Sequence, residues 1–102
     1  MIDDNEIKIA NISLGSKNIA VTGEIIEIGE VREVNTRYGM TKVVETLIED
    51  ETGKISMTVW GEMIDKIREG DKIRVKKAYA SEWNNRMQIN IGRFGKLIIL
   101  NN

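Results

Sequence analysis

The stretch that most constrains the fold is Lys42–Trp60, KVVETLIEDETGKISMTVW, which predicts two strands joined by a tight turn. Its first half is rich in Val, Thr, Leu and Ile, the residues that suit a pleated, half-buried surface. In its second half, Ile55, Met57 and Val59 alternate with polar residues, and Trp60 falls in the polar phase. Because successive strand side chains point to opposite faces, aliphatic residues lining a core would place Trp60 outside.

The turn between these strands, Asp50-Glu51-Thr52-Gly53, is acidic. Gly53 can adopt the positive φ that closes a short hairpin. The neighbouring carboxylates of Glu49, Asp50 and Glu51 are ordinary for a solvated turn. They lack the defined spacing of an oxygen-ligand metal loop, so neither a metal nor a catalytic role is expected for them.

The rest of the chain predicts three further strands and one helix. Residues 18–34 form a long first strand whose apolar phase switches after Ile25, between Gly23 and Gly29, which predicts a bulge. Residues 61–70 form a short helix with a narrow apolar stripe. Residues 71–80 form a fourth strand whose phase slips near Lys77 and leaves Tyr79 outward. Residues 81–86 form a loop, residues 87–91 a fifth strand, and residues 92–95 break the run before a last apolar segment.

Five strands, a coiled first strand and a short helix between the third and fourth strands are the order of an all-β, five-stranded OB-fold (Greek-key) barrel. We expect residues 1–102 to form this single domain. A β-sandwich is the alternative, but it needs about seven strands. Two or three apolar periods in residues 1–17 fit either a helical turn or a strand lead-in.

Composition narrows the function. The chain contains no cysteine and no histidine, which excludes disulfides, thiolate nucleophiles, cysteine metal sites and the commonest general base. We therefore expect no enzymatic activity and no cofactor. No signal peptide and no apolar stretch of about 20 residues is present, so the chain is expected to be cytoplasmic and not membrane-bound.

Charge is unevenly distributed along the chain. Residues 1–70 hold 8 Lys and Arg against 14 Asp and Glu, whereas residues 71–102 hold 7 against 2. The basic portion contains Tyr79, Trp83 and Phe94. Basic residues interleaved with aromatics are typical of nucleic-acid sites, although a solvated surface explains charge alone equally well.

The candidate binding residues follow from placement around the predicted barrel. Strands 2 and 3 of an OB fold, with the two flanking loops, bind oligonucleotides. Trp60, Tyr79 and Trp83 would converge there as stacking platforms, while basic residues track the phosphates. Each has an alternative: Trp60 as core, Tyr79 as a barrel cap, and the cations as surface charges. The basic candidates are Arg32, Arg37, Lys42 and Arg86.

Three runs, VTGEIIEIGEVREVNTRYG, EDETGKISMTVWGEMIDKIREGDKIRV and YASEWNNRMQINIGRFGKL, resemble the OB fold of archaeal replication protein A and archaeal single-stranded-DNA-binding proteins. The resemblance extends from about Ile7 to Leu100. Its most specific part is the D-E-T-G turn and the alternating strand that ends in Trp-Gly. A second specific feature of the resemblance is the spacing of two aromatics, Tyr79 and Trp83, with three residues between them, after the fourth strand.

The resemblance implies roles for individual residues. Trp60 matches the tryptophan that ends the third strand, and Tyr79 and Trp83 match two base-stacking aromatics. Contacts through the first loop would come from Arg32, Thr36 and Arg37, and a backbone contact near the fifth strand would come from Arg93. Asn90 departs from the pattern, because some relatives have an aromatic there. Simple members also continue into a tail, so this sequence is either an excised domain or a tailless protein.

We therefore expect binding of single-stranded DNA with little sequence preference, in DNA replication, recombination or repair. Other replication or repair proteins, or further OB domains of the same polypeptide, are the expected additional partners. Single-stranded RNA is an alternative ligand. An OB fold that associates with another protein through the same aromatics is the alternative from a different class.

Overall fold

The computed structural model describes residues 6–83 and 85–100, apart from the side chains of Trp83 and of residues 92–94. Within this part, strands alternate with two short 3-10 helices, which span Ile9–Asn11 and Gly61–Lys66. The strands are β1 (Ile19–Ile28), β2 (Arg32–Thr36), β3 (Gly39–Asp50), β4 (Gly53–Trp60), β5 (Lys72–Trp83) and β6 (Arg86–Ile99).

Strand pairing closes a barrel. The hydrogen-bonded order is β1-β5-β6-β4-β3-β2, and an additional antiparallel β1–β3 pairing joins the ends of the five-stranded part. All pairs are antiparallel except β4–β6. β2 lies outside the closed part and pairs with β3. The predicted OB barrel, with a short helix between its third and fourth barrel strands, is confirmed.

The core is lined by alternate residues of the barrel strands. Ile55, Met57 and Val59 are buried and Trp60 is exposed, as the alternation of β4 predicts. Thr46 also points inward, and its hydroxyl donates to the carbonyl oxygen of Met57 at 2.9 Å, which satisfies a buried polar group. The largest fully buried side chains are Val21, Ile25, Val44, Ile48, Met57, Val59, Ile73, Val75 and Ile89.

The first predicted strand is divided. The bulge is confirmed, because the β1–β3 register shifts between Ile25 and Glu27. A single strand over residues 18–34 is wrong, since β1 ends at Ile28 and β2 begins at Arg32. Gly23 lies at a close approach of β1 to β3, since a Cβ there would lie 2.9 Å from the carbonyl oxygen of Glu49.

The helix after β4 is shorter than predicted. It is a 3-10 helix over Gly61–Lys66 rather than a helix over residues 61–70, and Ile67 is already extended. The predicted apolar stripe is nevertheless confirmed: Ile67 is buried in the core, with Met63 and Ile64 packed against it. A six-residue segment can cover a barrel end without the length that a stable α-helix needs.

β5 and β6 form a longer hairpin than predicted. The slip near Lys77 is confirmed, because the register shifts between Lys76 and Ala78 and Lys77 adopts a φ of 57°. The predicted loop over residues 81–86 is wrong, since Trp83 pairs with Arg86 across a two-residue connection. The predicted break over residues 92–95 is also wrong, because β6 continues through it and pairs with β5 on both sides.

The N-terminal segment combines both expected forms. Glu6 makes an isolated parallel bridge with Ala20, and a 3-10 helix follows. Ile9 and Ile12 are buried in the core cluster. The segment therefore closes part of the barrel. Neither helix of the described residues combines the length and apolar character needed to cross a membrane.

Candidate functional site

Cross-strand pairing assembles the outward residues of five strands into one surface. In one row, Tyr79 of β5 pairs with Asn90, Asn90 with Thr58, and Thr58 with Glu45. In the next row, Trp60 pairs with Val43 and Val43 with Arg32. Since directly paired residues share a face, the chain brings these side chains together although they are distant in sequence.

Trp60 lies at the edge of this surface. Its side chain is 44% exposed. Val43, between Trp60 and Arg32, is only 3% exposed yet is not part of the barrel's core cluster. Val43 is therefore buried on the outside of the barrel, where its flanking neighbours cover it. A half-exposed indole paired with a buried aliphatic residue suits a stacking platform.

A shallow depression of about 200 Å³ lies beside Trp60. Together with Tyr79, its lining defines what we call the aromatic face. Its centre is polar and its ends are aromatic. The lining residues are Arg32, Val43, Glu45, Thr58, Trp60, Gln88 and Asn90.

Tyr79 lies at the other end of the aromatic face and is 43% exposed. β5 and β4 are separated by β6 alone, so the strands that carry Tyr79 and Trp60 are about 10 Å apart at roughly 4.8 Å per strand. The backbone therefore holds the two rings apart, with the polar centre between them.

The polar centre is ordered by hydrogen bonds. The Asn90 amide donates to Ser81 Oγ at 2.9 Å, and the Thr58 hydroxyl lies 3.4 Å from Gln88 Oε1. Asn90 lies on the outer side, as predicted from its phase, but is only 9% exposed. Its side chain therefore forms part of the floor, and Gln88, which the sequence analysis did not select, lines the depression beside it.

Arg32 and Arg86 lie in the outward phase of this face, whereas Lys42 alternates with Val43 and so points to the opposite side of β3. Arg32 begins β2, Arg37 lies in the β2–β3 turn, Lys42 lies on β3 and Arg86 begins β6. All four are exposed. Arg32 and Lys42 are thus strand residues rather than loop residues. Among the described residues, none of the ion pairs involves any of these four side chains.

Three other predicted site residues need separate statements. Thr36 ends β2, where its hydroxyl donates to the Gly39 carbonyl at 2.8 Å and accepts from the Tyr38 amide at 3.1 Å. These bonds shape the turn and leave one acceptor position for a ligand. The side chains of Trp83 and Arg93 lie outside the described residues, although the Trp83 backbone pairs with Arg86.

The β2–β3 turn and the start of β3 carry exposed side chains that the predicted site did not include. Tyr38 is 86% exposed and Met40 is 64% exposed. An aromatic beside Arg37 in a polar turn was the available sequence signal. The sequence does not show whether such a tyrosine points into solvent or folds back onto the barrel. The exposed fraction of Tyr38 in the structure shows that it points into solvent.

The acidic turn is occupied by structural bonds. Asp50 Oδ1 accepts from the Thr52 amide at 2.7 Å, the Thr52 hydroxyl at 2.6 Å and the Gly53 amide at 3.2 Å, while Oδ2 accepts from the Ile9 amide at 2.9 Å. Gly53 does not adopt a positive φ, because the Asp50 carboxylate closes the turn instead. We call Asp50 and Thr52, with Ile9 and Ala10 bound to them, the clasp.

The pKa of Asp50 reflects these bonds. Burial raises it, but the hydrogen bonds from Thr52, Ile9 and Gly53 lower it by more, so the pKa lies below its ordinary value. Within residues 6–83 and 85–100, no group of three or more acidic, histidine or cysteine side chains is arranged to hold a metal ion. The carboxylate therefore acts as a hydrogen-bond acceptor in a turn.

Comparison with known proteins decides the family. Residues 8–99 match the family model described as "Single-stranded DNA binding protein Ssb-like, OB fold". The chain belongs to this family. The expected resemblance to archaeal single-stranded-DNA-binding OB folds is confirmed.

Individual relatives agree. The "Single-stranded DNA binding protein Ssb" of Saccharolobus solfataricus is 28% identical over 92 residues, which cover 90% of this chain and 62% of that protein. "Replication factor A" of Methanothermobacter thermautotrophicus is 38% identical over 60 residues, 55% of this chain and 8% of that protein. This chain thus spans less than two thirds of either relative.

Among solved structures, a replication factor A related protein from Methanobacterium thermoautotrophicum superposes with a TM-score of 0.81. It is 25% identical, and the match covers 96% of this chain and 93% of that chain. The shared fold places the β3–β4 face and its flanking turns in the position that OB folds use for oligonucleotides.

Proposed function

We propose that this Ssb-like OB fold binds single-stranded DNA with little sequence preference, as a single domain over residues 1–102. Bases would stack on Trp60, Tyr79 and Trp83. Phosphates would be neutralised by the basic residues around them, and Thr36 would hold the β2–β3 turn in position. The proposed phosphate contacts are Arg32, Arg37, Lys42, Arg86 and Arg93.

The observation that carries this proposal is the aromatic face. Two half-exposed rings lie at opposite ends of an ordered polar floor, and an arginine without an ion pair among the described residues lies beside one ring. Every base has a π-face, so stacking retains affinity whatever the sequence. The floor presents the Thr58 hydroxyl, the Gln88 and Asn90 amides and the Glu45 carboxylate. The Asn90 amide already donates to Ser81, so it is not free to select one base through a bidentate pair.

The relatives support a role in DNA replication, recombination or repair. One relative is named a single-stranded-DNA-binding protein and another a replication factor, and both are longer than this chain. We propose that the partners, besides DNA, are further OB domains of the same polypeptide or other replication and repair proteins.

A tryptophan-fluorescence titration tests the proposal. The chain has two tryptophans, so Trp83→Phe leaves Trp60 as the only indole, and Trp60→Phe leaves Trp83. Each variant is titrated with oligo-dT and with oligo-rU at several salt concentrations. We expect quenching of both indoles by oligo-dT, with log K falling by about 0.7 per log unit of salt for each neutralised phosphate.

The outcomes separate the alternatives. Stronger binding to oligo-rU would move the ligand to RNA. Quenching of Trp60 alone would remove Trp83 from the site. No binding of either oligonucleotide by a folded protein would reject the proposal.

Association with another protein domain is the second candidate function. It is favoured by Tyr38 and Met40, which are 86% and 64% exposed in and beside the β2–β3 turn. Apolar side chains concentrated at one turn are typical of contact surfaces. If Tyr38→Ser and Met40→Ser together leave oligonucleotide affinity unchanged but abolish association with a partner domain, this function would accompany DNA binding.

A further inference from the structure

A second depression lies on the far side of Tyr79. It has a volume of about 370 Å³ and is open to solvent along one side. Because the proposed site residues do not include it apart from Tyr79, it is a distinct feature of the surface. We call it the lysine groove; its lining is Gly15, Ser16, Lys17, Asn18, Lys77, Ala78, Tyr79 and Ala80.

The groove is formed by an irregularity in the barrel. Asn18, just before β1, has a φ of 56°, and Lys77 has a φ of 57°. Between them, Ile19 pairs with Ala78, and the β1–β5 register shifts immediately afterwards. The left-handed residues before β1 and within β5 adjoin this register shift, and irregularities of this kind interrupt regular strand pairing and bend a strand locally.

The groove is also held in place. The Ala80 amide of β5 donates to the Ser16 carbonyl at 2.9 Å, and the Ser16 amide donates to the Ser13 carbonyl at 3.0 Å. These bonds attach the segment that precedes β1 to the strand that carries Tyr79. Ala78 and Ala80, both buried, form the floor.

Its charge is positive. Lys17 and Lys77 are both exposed, and neither takes part in an ion pair with another described residue. The described lining residues include no carboxylate. Two unpaired ammonium groups beside an exposed tyrosine form a surface that attracts a polyanion carrying flat rings.

Tyr79 connects the groove to the aromatic face. Its side chain lines the groove, and its cross-strand neighbour Asn90 lines the depression beside Trp60. Tyr79 thus lies between the aromatic face, whose lining includes both Arg32 and Glu45, and the two lysines of the groove. We propose that single-stranded DNA runs beyond the aromatic face and around β5, where Lys17 and Lys77 hold its phosphates.

This inference rests on the proposed function and extends its binding site. The test uses the variant Lys17→Gln/Lys77→Asn. Asparagine tolerates the left-handed conformation of residue 77 better than most residues, so the charge is removed with little added strain. The matched control is Lys66→Gln/Lys96→Gln, which removes the same charge from two exposed lysines outside both depressions.

Affinity for oligo-dT is measured from about 4 to 16 nucleotides, the range of site sizes of single OB folds, at several salt concentrations. For the groove variant we expect unchanged affinity for the shortest oligonucleotides that bind. For the longest, we expect a loss of about 10- to 25-fold at 0.1 M salt and a salt slope lower by about 1.4, the value for two phosphates. The control should match the unmodified chain at every length.

Two results would overturn the proposed role of the lysine groove in DNA binding while leaving the proposed function intact. One is equal affinity and equal slope for the groove variant and the unmodified chain at all lengths, with Trp60→Ala still impaired. The other is an equal loss at every length, which would place the lysines in the central site. Absence of oligo-dT binding by the unmodified chain would reject both proposals.

Folding is checked by urea unfolding of each variant. Should the double variant not fold, Lys17→Gln alone carries the test, because Lys17 precedes β1 and has no left-handed backbone. Its expected loss is about fivefold for the longest oligonucleotides and a slope change of about 0.7.

Discussion

The β3–β4 hairpin contributes residues to both the aromatic face and the clasp, and these two regions use polar chemistry in opposite ways. At the clasp, the Asp50 carboxylate accepts four hydrogen bonds and Lys8 pairs with Glu51 at 2.7 Å. At the aromatic face, Arg32 and Trp60 remain exposed, and Arg32 has no ion pair within the described residues. Bonds satisfied within the chain stabilise the fold, whereas groups left without partners are available to a ligand.

The largest effect is expected at the clasp. Asp50→Ala removes the acceptor for the amides of Ile9, Thr52 and Gly53. We expect a loss of about 2–3 kcal/mol in the free energy of unfolding, measured in urea, because bonds to a charged acceptor are worth about 1.5–3 kcal/mol. Oligonucleotide affinity of the folded variant should not change.

Glu51→Ala is the control for that variant. It removes the exposed Lys8 pair alone, and such surface pairs contribute less than about 1 kcal/mol. If Asp50→Ala and Glu51→Ala had equal effects on unfolding, the clasp would not be a structural feature.

The next largest effect is expected at Trp60. Trp60→Ala should weaken oligo-dT binding by about 1–3 kcal/mol, the value of one stacked base, and change the free energy of unfolding much less. Fluorescence anisotropy of a labelled oligonucleotide measures the first quantity and urea unfolding the second. Trp60→Phe keeps an aromatic surface and should recover most of the affinity. A large loss of stability with intact binding would instead make Trp60 a structural residue that protects Val43.

A smaller effect is expected at Arg32. Arg32→Gln should lower oligo-dT affinity about fivefold at 0.1 M salt and reduce the salt slope by about 0.7, because one phosphate contact is lost. Arg68→Gln is the control, since Arg68 is exposed in the connection before β5, outside the aromatic face. Equal slopes for the two variants would show that Arg32 contacts no phosphate.

The smallest effect is expected on the free energy of unfolding when pH is lowered and Asp50 becomes protonated. The lowered pKa of Asp50 in the folded chain means that its ionised form stabilises the fold above its ordinary pKa of about 4. That contribution is lost as pH falls through the lower folded-state pKa. Asp50→Asn cannot titrate, so the difference in unfolding free energy between the unmodified chain and this variant should shrink below about pH 4. A difference that stays constant down to pH 2 would contradict the assignment.

Much of the fold was predictable because the signals are local. The alternation around Met57 decides which side of β4 faces the core, and the same period places Trp60 outside. The phase slip near Lys77 is visible in the sequence, because the inward residues Val75 and Ala78 are three positions apart instead of two or four. The structure confirms the slip with a register shift. Such signals depend on neighbours two to four residues away, which the sequence displays directly.

Element boundaries were less predictable. The Gly92–Gly95 run breaks the apolar alternation, yet β6 continues because β5 supplies hydrogen-bond partners on both sides. The loop predicted around Trp83 is a strand end for the same reason. Cross-strand hydrogen bonds override weak local propensity, and the partner strand is not visible in the local sequence.

The candidate site was partly predictable. Trp60 and Tyr79 were predicted as site residues because they fall in the outward phase of their strands, and both are exposed in the structure. The adjacency of Arg32 to Trp60 depends on Val43 pairing with both residues, which requires the β2–β3 and β3–β4 registers together. The burial of Asn90 depends on its bond to Ser81 across the β5–β6 hairpin.

The sequence by itself determined the barrel class, the inward and outward faces of its strands and the aromatic residues exposed on one side. The tertiary structure alone decided which charges are neutralised. Asp50 is bound by Ile9, 41 residues away in the chain, while the cations around the aromatic face have no ion pair within the described residues. The physical reason is that hydrogen bonds and ion pairs act over a few ångströms in space. Barrel closure and strand register set those distances, and separation along the chain does not.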